Sequence, residues 1–131
     1  MKFLFDTNAV IALLQGKANF IAHLRLYQPS DFGVPSIVAH ELFYGAYRSQ
    51  RRDENLARLA ALPFEIVEFT PEDARAAGAL RAQLAQAGTL IGPYDVLIAG
   101  QALARSLILI THNMREFTRV DGLRLEDWEG D

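Results

Sequence analysis

Short apolar runs alternate with helix-patterned segments along almost the whole chain, and this alternation decides the fold class before any single residue is considered. KFLF, DFGVP, FEIVEF and SLILIT are too short for stable helices and too apolar for loops, so each reads as a strand. Between them lie segments with helix signals. DTNAVIALLQG has a cap-forming start and ends at Gly16, and NFIAHLRLY stops before Pro29. SIVAHELFYGAYRS covers residues 36–49, and DENLARLAALP has Asp53 near its start and Pro63 beyond its end. PEDARAAGALRAQLAQAG begins at Pro71 and closes at Gly88, and GPYDVLIAGQALARS begins at Pro93. LRLEDW adds a short edge strand. Strands separated by helices predict an α/β fold with a mainly parallel sheet covered on both faces. No Ser/Gly-rich linker or repeat interrupts the pattern, and 131 residues suit one domain, residues 1–131, with one core.

Ligands of such sheets sit beyond the carboxyl ends of the strands. Asp6 ends KFLF, and Thr111 and Asn113 lie at the same end of SLILIT. Several function classes are excluded. No apolar run nears the roughly 20 residues that span a bilayer, and Asp6 breaks the opening stretch too early for a signal peptide. The absence of cysteine removes disulfides, thiol nucleophiles and zinc–thiolate sites, and fits a reducing cytoplasm. DTNAV lacks the glycines of a dinucleotide-binding turn. Asn8 stands where a haloacid-dehalogenase-like phosphatase needs a second acid, and the only lysines, Lys2 and Lys17, do not suit a receiver domain. With a net charge of −3, contact with nucleic acid must rest on a local patch. Arg48, Arg51 and Arg52 form one, although cations at a helix C-terminus are also favourable in themselves.

Three acids stand where apolar neighbours make them costly. Asp6 lies at the seam between strand and helix, where Thr7 or Asn8 would cap equally well. Glu41 shares a helical stripe with Ile37 and Tyr44, beside the stripe of Val38, Leu42 and Gly45. Asp95 lies in the first turn after Pro93, on one stripe with Ile98, Ala99 and Ala102. Taken singly, these are a helix cap, an edge glutamate and a first-turn aspartate. Gathered in one place, they need protons or a cation to neutralise them. Mg²⁺ or Mn²⁺ suits carboxylate and water oxygens, and such a site activates water and offsets charge on a phosphoryl group. The pattern predicts a metal-dependent phosphodiesterase.

DTNAVIALL, PSIVAHELFYGA, IGPYDVLIAGQALARS and LILITHNMREFTRVDGLRLEDW, in this order, resemble the successive motifs of PIN-domain ribonucleases. The nearest likeness is to the VapC toxins of type II toxin–antitoxin pairs, from Lys2 to Trp128. The resemblance implies a PIN-like α/β/α sandwich and an endoribonuclease cutting transfer RNA or another structured RNA. Asp6, Glu41 and Asp95 would be metal ligands, with Asn113 in the catalytic set. Thr7 and Asn8 would orient Asp6, and Thr111 would line the same pocket. Many PIN domains carry aspartate at the Asn113 position, so one tightly held ion is expected rather than two. Glu116, one turn further on, is expected to face solvent.

The resemblance also implies a VapB-like antitoxin that offers an arginine to the carboxylates, and a homodimer. The aromatics Phe43, Tyr44 and Tyr47 or the helix after Pro71 would supply apolar contact, unless they fill the core. His40 points about 100° away from Glu41 on its helix. His112 reads as a loop histidine, and His23 as structural. The alternative function is a catalytically idle module of the same fold that binds RNA or protein.

Overall fold

The computed structural model describes residues 1–130. Five strands, β1 (Phe3–Phe5), β2 (Phe32–Pro35), β3 (Glu65–Val67), β4 (Ile108–Ile110) and β5 (Leu125–Glu126), form one sheet in the order β3-β2-β1-β4-β5. Every pairing is parallel, with Phe3 opposite both Phe32 and Ile108. The helices are α1 (Thr7–Leu14), α2 (Ala18–Leu24), α3 (Ser36–Arg48), α4 (Arg52–Ala60), α5 (Pro71–Gln86), α6 (Pro93–Arg105) and α7 (Met114–Phe117). The parallel sheet expected from the strand–helix alternation, and the α/β/α sandwich that the resemblance implies, are therefore present.

The core is built on β1, whose three residues are all buried. Phe3 stacks on Phe32 and meets Trp128 edge-on, while Phe5 stacks on Phe32 and meets Phe64 edge-on. Trp128, from the end of the chain, is 1% exposed among Phe3, Phe20, Tyr27 and Phe32. On the other side α5 and α6 pack without a gap. A Cβ on Gly100 would lie 2.5 Å from the Cα of Ala77, so only glycine allows this approach.

Several boundaries differ from the sequence expectation for local reasons. Asp31 closes a 3-10 turn (Pro29–Asp31), its carboxylate accepting from the Gln28 N–H, so β2 begins only at Phe32. The strand expected over FEIVEF shortens to Glu65–Val67 and forms a sheet edge, with Ile66 50% exposed. THNMREF contains a short helix, α7, that the apolar pattern does not signal.

Chain order reverses about β1: β2 and β3 follow to one side, β4 and β5 to the other. The crevice at the carboxyl ends of β1 and β4 is thus the topological switch point, where α/β sheets bind ligands.

A candidate acidic active site

Asp6 follows β1 directly, and its position is fixed by backbone. Its N–H donates to the Ile110 carbonyl at the end of β4. Oδ1 accepts the Ala9 N–H at 2.8 Å, capping α1, and Oδ2 accepts the Thr111 hydroxyl at 2.5 Å. The side chain therefore both caps a helix and faces the crevice, and the two readings of the sequence do not compete. Asp6 is 4% exposed. Burial raises its carboxyl to about 6 against the pull of those two hydrogen bonds, and the charges of Glu129 and Glu41 push the same way.

Glu41, on α3, accepts the Thr7 hydroxyl at 2.9 Å. Thr7 thus orients Glu41, and Asp6 is held instead by Thr111; this corrects the expectation that Thr7 and Asn8 hold Asp6. Asn8 is exposed and makes no hydrogen bond to Asp6. Thr111 joins the cluster a second way, its hydroxyl oxygen accepting the Asn113 N–H at 2.9 Å.

Asp95 sits in the first turn of α6, half-buried. Burial and a hydrogen bond to Glu116 raise its carboxyl to about 7, with further repulsion from Asp6 and Glu41. Glu116 is displaced the other way. Burial alone would raise it, but the hydrogen bond from Asp95 outweighs that, helped by the Asn113 side chain and the Gly92 backbone. The two carboxyls disfavour a shared double negative charge, and the protonated form is favoured at Asp95 rather than at Glu116. Glu116 does not face solvent as the sequence suggested. It meets Asp95 and accepts from Asn113 Nδ2 at 3.2 Å. A signal was present in the sequence, because Asn113 and Glu116 have the N-cap and N3 spacing of a capping box.

Asp6, Glu41, Asp95 and Glu116 thus act on one another across four elements, and among the described residues none forms an ion pair with a cation. No three acidic or histidine side chains among the described residues stand ready-arranged around an ion. The donor chemistry nevertheless fits a hard divalent cation, since all four are carboxyl groups and two are weakened as acids by burial and by their acidic neighbours. A cation at the cluster would relieve the same repulsion that favours a proton on Asp95.

The arginines expected to form a patch are engaged locally. Arg48 lies over Tyr44, Arg52 donates to the Tyr47 carbonyl at 3.0 Å, and Arg51 pairs with Glu54. His23 stacks on Trp128, as a structural histidine would, and His40 packs edge-on against Tyr94. Phe43, Tyr44 and Tyr47 do not fill the core; they are 39%, 62% and 56% exposed on α3.

The PIN domain family matches residues 3–123. The chain is 38% identical over 130 residues to the "tRNA(fMet)-specific endonuclease VapC" of Salmonella typhimurium, covering 98% of each. It is 35% identical over 130 residues to "Ribonuclease VapC2" of Haemophilus influenzae, again covering 98% of each. Among solved structures, the DNA-bound VapBC of Salmonella typhimurium superposes with a TM-score of 0.92 at 38% identity, covering 98% of both chains. VapBC2 of Rickettsia felis bound to a promoter DNA fragment gives 0.90 at 32% identity, covering 98% of this chain and 99% of that one.

Proposed function

The chain belongs to the PIN domain family, beside the VapC ribonucleases, and from that premise we propose that it is the endoribonuclease toxin of a type II toxin–antitoxin pair. The observation that carries the proposal is the cluster at the switch point, with Asp6 locked between β1, α1 and Thr111 beside Asp95 and Glu116. A scaffold has no use for buried carboxyl groups held as weak acids.

Asp6, Glu41 and Asp95 would hold a divalent cation, Mg²⁺ or Mn²⁺, with Glu116 and Asn113 at its margin. Such an ion supplies a water of lowered pKa and offsets charge on the phosphate. The chain's own residues do the rest. Thr111 and the Ala9 N–H keep Asp6 in one orientation, and Thr7 does the same for Glu41. Glu116, whose carboxylate form is favoured beside Asp95 and Asn113, would be the group to take the proton that leaves the attacking water. In the overall reaction, water oxygen bonds to phosphorus, the bond to one ribose oxygen breaks, and that oxygen gains a proton.

Transfer RNA is the proposed substrate class, on the strength of the relatives named for it. A VapB-like antitoxin is the proposed partner, as in the VapBC complexes, and the exposed aromatic face of α3 offers apolar contact to it or to a second copy. Arg48 and Arg52, already held over tyrosine rings, are proposed to meet RNA phosphate beyond the crevice. Among the described residues no helix is long and apolar enough to cross a membrane, and a cytoplasmic site of action is proposed.

The test is cleavage of a transfer-RNA pool by purified protein with Mg²⁺, with chelator, and with an Asp6→Asn variant. Cleavage is expected only for the wild type with metal. Equal cleavage by the variant would overturn the assignment.

A further inference from the structure

Next to the acidic cluster, α1 and the last turns of the chain enclose a polar pocket of about 480 Å³, within the size range of small-ligand sites. Asn8, Ala12 and Gln15 face it from a single stripe of α1, at i, i+4 and i+7. His112 and Asn113 face it from the segment after β4, and Lys17 and Glu129 close the rim with an ion pair of 2.9 Å.

Three features indicate what such a pocket receives. First, it is continuous with the cluster, because Asn113 lines it while its side-chain amide donates to Glu116. Second, its charge is balanced: Lys17 is paired with Glu129, so the pocket offers no free cation to a phosphate. Third, its polar lining is largely neutral. The amides of Asn8 and Gln15 are exposed and, among the described residues, are spent on no other group. The His112 ring is held at Nδ1 by Asp127 Oδ2 at 2.9 Å, and Nε2 has no hydrogen-bond partner among the described residues. Side-chain amides present a donor and an acceptor together, the combination that reads a base edge, and unpaired RNA bases are the ones a pocket can reach.

We propose that this pocket is a base-reading subsite, in which Asn8, Gln15 and His112 receive the unpaired base next to the phosphate held at the acidic cluster. The proposal rests on the nuclease reading for its position beside a scissile phosphate. Asp127 is a positioning residue that fixes the His112 ring.

Two measurements test it. Cleavage of short single-stranded oligoribonucleotides that differ only in the bases flanking the cut is compared for wild type, Gln15→Ala and His112→Ala. Wild type is expected to favour one base on one side by about tenfold or more, the effect of one good amide–base contact. Gln15→Ala is expected to level that preference, with the loss falling on KM rather than kcat. Binding of the four homotetraribonucleotides is then measured by anisotropy with chelator present, where no cleavage competes. If wild type cuts nothing but binds with a base preference that Gln15→Ala abolishes, the nuclease reading fails and the subsite stands. If both variants keep the wild-type preference in cleavage and in binding, the subsite is overturned, whatever the fate of the nuclease reading. Thermal unfolding of each variant guards against misfolding.

Discussion

Thr111 and Glu116 show how single side chains set the state of the acidic cluster. The Thr111 hydroxyl is one of two donors that oppose the burial of Asp6. Thr111→Val keeps the shape and removes the donor, so the Asp6 carboxyl should rise further and bind cations less readily. A hydrogen bond to a charged group contributes about 1.5–3 kcal/mol, which predicts at least a tenfold loss of Mn²⁺ affinity, read by calorimetric titration. Glu116→Gln should act in opposite directions on stability and activity. It removes the carboxyl that raises Asp95, so the metal-free protein melts higher, while cleavage falls. A melt and a cleavage assay on the same preparation check both signs. Asp6, Glu41 and Asp95 were legible in the sequence because a charge in an apolar run is conspicuous there. Thr111 was legible only as a neighbour of the pocket. Its bond to Asp6 joins residues 105 positions apart, and no local pattern encodes such a contact.

Helices α5 and α6 approach closely, and their contact is held by size on one side and charge on the other. Gly100→Ala forces a methyl group against the Ala77 backbone, and an overpacked site of this kind typically costs about 1–3 kcal/mol. Arg105 holds Asp73 through two nitrogens, and Gln101 Nε2 donates to the same carboxylate at 3.0 Å. Burial raises Asp73, but the Arg105, Thr70 and Gln101 hydrogen bonds outweigh it and keep the carboxyl below its ordinary range. Asp73→Ala leaves Gln101 and Arg105 without that partner. Since Arg105 is partly solvated, a loss of about 2–3 kcal/mol is expected from urea unfolding, below the full cost of a broken buried pair. The start of α5 was readable from Thr70, Pro71 and Asp73, whose cap chemistry is local. The network itself was not, because its partners are 28 and 32 positions apart and each has an ordinary place on its own helix.

For the molecule as a whole, the two raised carboxyls tie stability to pH. Asp6 and Asp95 titrate at about 6 and about 7 when folded, but at about 3.9 in an unfolded chain. The folded protein therefore binds more protons between these limits, and stability falls as pH rises through that window. The metal-free protein should melt several degrees lower at pH 8 than at pH 5. Saturating Mg²⁺ should reduce the difference, because the cation competes with the same protons; melting curves at both pH values, with metal and with chelator, test this. The parallel architecture was plain from the alternation of strands and helices, whereas the order of strands was not, since apolar strands of three or four residues look alike until they pair. That order has a consequence in time. The central strand, β1, is made first, yet its partner β4 and the hydroxyl that secures Asp6 come some hundred residues later. At synthesis rates of about 5–20 residues per second, the first aspartate waits roughly 5–20 s for the residue that holds it. A chain still being translated has no finished cluster with which to cut RNA.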